Sequence, residues 1–302
     1  MVDFAARRAE KRDVEMPSTP FTPTVWRLAH GRSLTLGPRS IVMGILNVTP
    51  DSFSDGGRFF GAGNAVAQAH RMIGEGAEIV DVGGESTRPN AVAIDAAEEQ
   101  ARVMPVIEAL VRDGRALVSI DTYRAATARM AIEAGAHIVN DVWGLHREPE
   151  IADVVAATGA GLVIMHTGRD REKVPDVIAD QEHFLGAGLD TARRAGIAGD
   201  RILLDPGFGF AKETAEENLE LMARFAELHR FGRPLVVGTS RKRFVGTVTG
   251  RDGDERDIGT AATSAILRLA GAAVFRVHNV AINKDALAFA DAMVSRRARP
   301  ET

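Results

Sequence analysis

Residues Ile41 to Gly57 read IVMGILNVTPDSFSDGG. An apolar run, Ile41-Val42-Met43-Gly44-Ile45-Leu46, stops at polar Asn47, and Thr49-Pro50-Asp51-Ser52 and Asp55-Gly56-Gly57 then supply turn chemistry. The pattern predicts a buried strand that delivers Asn47 to its end and opens into a polar loop. The same grammar recurs. Gly76-Ala77-Glu78-Ile79-Val80-Asp81, Gly135-Ala136-His137-Ile138-Val139-Asn140 and Gly271-Ala272-Ala273-Val274-Phe275-Arg276 each run from a helix-ending glycine through an apolar strand to a polar residue. Strands that are apolar throughout belong in a parallel sheet covered by helices.

Strands are expected at 41–47, 78–82, 116–121, 137–141, 161–165, 201–205, 234–238 and 273–277. Helices are expected between them. That over 64–75 places Ala65, Val66, Ala69, Met72 and Ile73 on one face. Others fall at 95–112, 123–134, 149–157, 176–194, 257–270 and 279–295. One more opens on the capping box Thr214-x-x-Glu217 and carries Leu221, Met222, Phe225 and Leu228. Eight strand–helix units predict an α/β fold, a single closed (β/α)8 TIM barrel. A doubly wound open sheet is the competing architecture, which periodicity alone does not remove. Residues 24–37 are expected to form a hairpin closing one end. The domain reading is a loose tail over 1–24 and a barrel domain over 25–298.

The chain has 302 residues, 45% of them hydrophobic, enough for a sizeable core in one barrel domain. Its net charge of −4 gives no basic field for nucleic acid. With no cysteine, disulfides, thiolate metal sites and cysteine nucleophiles are excluded. No apolar run reaches the ~18 residues of a membrane span, and no hydrophobic signal segment is visible. A cytoplasmic protein is expected.

In a barrel the working face is the carboxyl end of the strands. Asn47, Asp81, Asp121, Asn140, Asp205 and Arg276 land there, with His278 just beyond, Met165-His166 ending another strand and Gly238-Thr239-Ser240-Arg241-Lys242 following the seventh. Asp121, Asn140 and Asp205 offer acceptors and an amide. They suit a flat heterocycle that presents paired N–H groups beside a carbonyl. Lys242, Arg276 and His278 are cationic or able to become so, and Asn279 can cap the final helix, whose amides would face an anion. This end suits a diphosphate. Other motifs fail. Gly207-Phe208-Gly209-Phe210-Ala211-Lys212 lacks the third glycine of a dinucleotide fingerprint. Asp252-Gly253-Asp254-Glu255 lacks calcium-loop spacing. Ser86 and Ser240 have no nucleophile-elbow context.

With these residues in hand the sequence resembles the dihydropteroate synthase family. The matching segments are MGILNVTPDSFSDGG (43–57), DVGGESTRP (81–89), SIDT (119–122), VND (139–141), LDPGFGFAK (204–212), GTSRK (238–242) and RVH (276–278). The resemblance implies a transferase that condenses 6-hydroxymethyl-7,8-dihydropterin diphosphate with 4-aminobenzoate, and a sulfonamide target. It implies that Asp121, Asn140, Asp205 and Lys242 hold the pterin, that Met165 and Arg276 sandwich its ring, and that Phe210 borders the adjacent pocket. Asp121, Asp205 and Lys242 are the expected catalytic residues. Arg276 and His278 hold the diphosphate, and Asn47 joins them through Mg²⁺. Thr87 and Arg88, with the loop over Asp51–Asp55, close over 4-aminobenzoate. A homodimer through the last helices is implied as well. Three departures stand out: Asn90 where the family commonly has glycine, Asn279 where it has aspartate, and a more charged turn over Thr167–Glu172, expected to be mobile. A catalytically silent pterin-binding paralogue and a folate-dependent methyltransferase barrel are the competing readings.

Overall fold

The computed structural model describes residues 19–49, 58–86, 93–212 and 214–297. An antiparallel hairpin, β1 (Thr24–Arg27) and β2 (Ser33–Leu36), precedes eight parallel strands. These are β3 (Ile41–Asn47), β4 (Ile79–Gly83), β5 (Leu117–Asp121), β6 (Ile138–Asp141), β7 (Gly161–Met165), β8 (Ile202–Asp205), β9 (Val236–Val237) and β10 (Val274–Val277). Neighbours pair in the order β8-β7-β6-β5-β4-β3-β10-β9. The ends of that series also meet. Leu204 bridges Leu235 in parallel, and the Leu204 amide donates to the Pro234 carbonyl at 3.1 Å. The sheet therefore closes into a (β/α)8 barrel, and the open-sheet alternative falls. β9 is shorter than the expected 234–238 because Pro234 has no amide to give the ladder.

The helices are α1 (Arg58–Gly74), α2 (Ala96–Asp113), α3 (Ala125–Glu133), α4 (Ile151–Thr158), α5 (Val177–Arg194), α6 (Ala215–Ala223), α7 (Arg243–Thr249), α8 (Asp257–Leu269) and α9 (Val280–Arg297). Ala65, Ala69 and Met72 of α1 are buried against the barrel wall, as their spacing requires. The Thr214–Glu217 capping box forms on α6. Beyond Ala223 the chain tightens into 3-10 turns over Phe225–Phe231, so Leu221, Phe225 and Leu228 stay buried across two elements. α7 was not expected. Its seven residues, RFVGTVT, are poor helix formers, and burial of Phe244 and Val245 holds them.

Strand parity sorts the core into two shells. Val42, Leu46, Val80, Val118 and Ile120 face the helices. Ile41, Met43, Ile79, Leu117, Ile138 and Val163 face the barrel axis. The hairpin plugs the amino end. Trp26 is 1% exposed and donates Nε1–H to the Arg201 carbonyl at 2.9 Å. Gly161 makes room for this plug, because a Cβ there would collide with Leu28 and lie 3.1 Å from the Trp26 ring. With the amino end sealed by apolar side chains, the carboxyl mouth is left for polar ones.

Candidate active site

The inward parity that starts apolar ends polar. Following Ile41 and Met43 inward along β3 leads to Asn47, Ile79 leads to Asp81, and Leu117 leads to Ser119 and Asp121. Register aligns the ends. Asn47 pairs with Gly83, Gly83 with Asp121, and Asp121 with Asn140. Gly83 contributes no side chain to this layer. A Cβ there would stand 3.5 Å from the Asp121 carboxylate and 3.7 Å from Asn47 Oδ1, so glycine keeps the space between them open.

Arg276 organises the mouth. Its Nε donates to Asp81 Oδ2 and an Nη to Asp121 Oδ2, both at 2.6 Å. Asn140 Nδ2 donates to the same Asp81 oxygen at 3.0 Å. Asp81 is fully buried, and its Oδ1 has no hydrogen-bond partner among the described residues. It was visible as a strand end but received no role from the sequence; its pairing with residues 59 and 195 positions away is invisible to local pattern. These bonds leave Arg276 its other Nη, Asp121 its Oδ1 and Asn140 its amide oxygen as groups to present.

Asn140, Met165, Asp205, Phe210, Lys242 and Arg276 line one narrow slot. Asp205 Oδ1 accepts from the Gly207 amide at 2.7 Å. Lys242 Nζ sits 4.0 Å from the centre of the Phe210 ring. Phe210 and Lys242 also wall a wider cavity of about 680 Å³, to which Arg169, Lys212, Arg241, Arg243, Arg256 and His278 contribute; Asp254 is the one acidic side chain among the described lining residues, and Asp257 and Asp252 pair Arg241 and Arg256 from outside it. A narrow polar slot beside a roomy cationic cavity suits the polar edge of a heterocycle that carries an anionic arm.

Burial shifts the charges. It pushes Asp121 up to about 7, with Arg276 pulling against it, and Asp205 up to about 6 against its Gly207 hydrogen bond, Arg276 and Lys242. It lowers Lys242 to about 8. His278, expected as a potential cation, is lowered to about 3 by burial and by Arg241, Arg276 and Lys242, so it is neutral here. Ser240 fixes its orientation: Oγ accepts from the His278 amide at 3.1 Å and lies 2.9 Å from Nδ1. With Ser240 donating to Nδ1, the ring presents Nε2–H.

Asn279 caps α9, its Oδ1 accepting from the Ile282 amide at 3.2 Å. Its Nδ2 also donates to Asp257 Oδ2 at 3.0 Å, a bond no aspartate could make while ionised. The turn over 167–172, expected to be mobile, is held instead: both Arg171 Nη atoms grip Asp180 at 2.7 Å. Thr87, Arg88, Asn90 and the 51–55 loop lie outside the described residues. Among the described residues, no three His, Asp or Glu side chains converge as a metal cage. Asn47 brings one amide oxygen to the strand ends beside Gly83, a donor that suits Mg²⁺ arriving with phosphate oxygens and waters rather than a resident metal.

A (β/α)8 barrel whose carboxyl mouth pairs buried carboxylates with a cationic cavity defines a class, and the family described as pterin binding enzyme matches residues 43–278; the chain belongs to it. Within that class it is similar to dihydropteroate synthases. That of Synechocystis sp. is 44% identical over 264 residues, 85% of this chain and 91% of the relative. The structure of the Xanthomonas albilineans dihydropteroate synthase with 4-aminobenzoic acid is 43% identical, with a TM-score of 0.84 over 92% of this chain and 100% of that one. The same enzyme in complex with 7,8-dihydropteroate gives 41% identity and a TM-score of 0.80, over 91% of this chain and 100% of that one.

Proposed function

We propose that the chain catalyses the dihydropteroate synthase reaction of folate biosynthesis. The amine of 4-aminobenzoate attacks the methylene carbon of 6-hydroxymethyl-7,8-dihydropterin diphosphate. A C–N bond forms, the C–O bond breaks, diphosphate leaves with the electron pair, and the amine's surplus proton can pass to it. The observation that carries this reading is Arg276, braced by Asp81 and Asp121, in the slot whose Lys242 and Phe210 also wall the cationic cavity. A leaving diphosphate placed there would meet fixed positive charge.

Asp121, Asn140 and Asp205 hold the pterin through their open acceptors, with Met165 and Arg276 against its two faces. Carboxylates at the ring also stabilise positive charge that grows on the methylene as diphosphate departs. Lys242 holds the pterin edge while its ammonium rests on Phe210, which borders the 4-aminobenzoate pocket. Arg276 and His278 Nε2–H take the diphosphate; once bound, its charge favours the protonated imidazole. Asn47 would hold Mg²⁺, which when bound neutralises charge on the leaving group. Thr87 and Arg88, outside the described residues, are assigned to 4-aminobenzoate, where a sulfonamide would compete.

We assign the working form as a cytoplasmic homodimer. Ile282, Phe289 and Met293 make an apolar stripe on α9, Phe289 being 76% exposed, beside Ile258 on α8 at 75%. A second copy covering that face accounts for it. No helix among the described residues is long and apolar enough to cross a membrane. The catalytically silent alternative has no observation in its favour. The test is chromatographic detection of 7,8-dihydropteroate from both substrates with Mg²⁺. Its formation is expected, and no product at saturating substrates would overturn the reading.

A further inference from the structure

Behind the pterin slot lies a buried polar chain with no assigned role. Lys212, 5% exposed, donates Nζ–H to the Gly207 carbonyl at 2.9 Å and reaches His166 Nδ1 at 3.1 Å. His166, 1% exposed, reaches Asp180 Oδ2 at 2.9 Å through Nε2. Asp180, on α5, is itself fixed by Arg171 and by the Val174 amide at 2.8 Å. Burial holds His166 far below its ordinary value, at about 3, and in the neutral Nε2–H tautomer Nε2 donates to Asp180 and Nδ1 accepts from Lys212, while the Arg171 Nη that lies 3.0 Å from Nε2 gives its hydrogen to Asp180 instead.

The chain ends on the turn that shapes the site. Gly207 gives its carbonyl to Lys212 and its amide to Asp205 Oδ1. Its φ is +63°, and a Cβ there would run into the His166 carbonyl, so the turn is pressed onto the end of β7. Three residues on, Phe210 meets Lys242. Asn218 secures the same turn, its Oδ1 accepting from the Gly209 amide at 2.8 Å and its Nδ2 donating to the Lys212 carbonyl at 3.2 Å.

We propose that Lys212 and His166, braced by Asp180, are positioning residues that hold the Gly207–Phe210 turn so that Asp205 and Phe210 meet the heterocycle. This rests on the pterin-binding reading. Asp205 is faced by three cations, Arg276 from β10, Lys242 from the loop after β9, and Lys212, each lowering its proton affinity against burial. Lys212 in turn faces Asp205, Asp180, Lys173, Glu217 and neutral His166, and burial lowers it to about 7. Removing the Lys212 cation takes away one of the charges that oppose the burial of Asp205, so the Asp205 part of the acid limb moves to higher pH, beneath the step of Asp121 at about 7.

The experiment is calorimetric titration of 6-hydroxymethylpterin between pH 5 and 8 into wild type, Lys212→Met, Lys212→Arg and His166→Asn, with folding followed by thermal unfolding. Lys212→Met is expected to weaken binding by ~10-fold at pH 7 and to move the acid limb up by roughly half a pH unit. Lys212→Arg keeps the cation and should restore the limb even if affinity stays low. His166→Asn, which retains an acceptor in place of Nδ1, should bind better than Lys212→Met. Lys212→Met and His166→Asn that both bind as tightly as wild type across the pH range would overturn the proposal. Absence of binding by wild type would instead sink the pterin reading itself.

Discussion

Asp205→Asn should make the protein more stable at neutral pH while crippling it as an enzyme. Asp205 is 4% exposed, and burial carries it from the ordinary 3.8 up to about 6 even with Arg276, Lys242 and Lys212 nearby. At ~1.4 kcal/mol per tenfold change in proton affinity, ionising it in the fold costs ~3 kcal/mol relative to the unfolded chain. Asparagine removes that term and can still accept the Gly207 amide, though its NH₂ adds a group to satisfy, so the net gain is ~1–3 kcal/mol. The sign runs with pH. Between 3.8 and about 6 the folded wild type binds more protons than the unfolded chain, so its stability falls as pH rises through that window. The advantage of the variant is therefore full above about 6 and gone below 3.8. Urea unfolding of both proteins at pH 4, 5, 6 and 7.5 measures it. A variant less stable than wild type at pH 7.5, or a difference independent of pH, would refute the reasoning.

Lys242→Met keeps the shape against Phe210 and removes the charge; kcat/KM should fall ~10²–10³-fold with the fold intact, and near-normal turnover would remove Lys242 from the machinery. Asn47→Ala should shift the Mg²⁺ dependence of the rate to higher concentration, and an unchanged titration would argue against its role. Asn279→Asp sets a second carboxylate against Asp257, where the amide now donates at 3.0 Å. Like charge raises the proton affinity of the pair, so the variant should lose ~1 kcal/mol at pH 8 and recover it toward pH 4, read by thermal unfolding. Phe289→Glu on the exposed stripe of α9 should yield monomers in sedimentation, and an unchanged assembly would move the homodimer contact elsewhere.

Residues at the carboxyl mouth were legible because a strand's period of two is rigid: a side chain two or four places beyond an inward isoleucine is inward too, so Asp121 after Leu117 and Asn140 after Ile138 could be placed before any coordinates. Closure was expected from the count of eight strand–helix units, but the seam that closes the barrel was not legible. It rests on Leu204 and Pro234 sharing a hydrogen bond at the seam, and no periodicity encodes which strands meet there. Charge state was also beyond the sequence, since the neutrality of His278 follows from burial and three surrounding cations. Lys212 stood inside the LDPGFGFAK segment without a role because its partner His166, just past β7, and Asp180 beyond it, on α5, are far away in sequence. The charged turn over 167–172 read as loose for the same reason: the carboxylate that holds Arg171 is Asp180, on the next helix.

The most direct test of the account is diphosphate release from the dihydropterin diphosphate with Mg²⁺, followed with and without 4-aminobenzoate, in wild type and in folded Asp205→Asn. Release by wild type that requires 4-aminobenzoate, and that falls by orders of magnitude in the variant, is the predicted result. Release that ignores 4-aminobenzoate, or that persists undiminished in the variant, would contradict a condensation carried out at this mouth of the barrel.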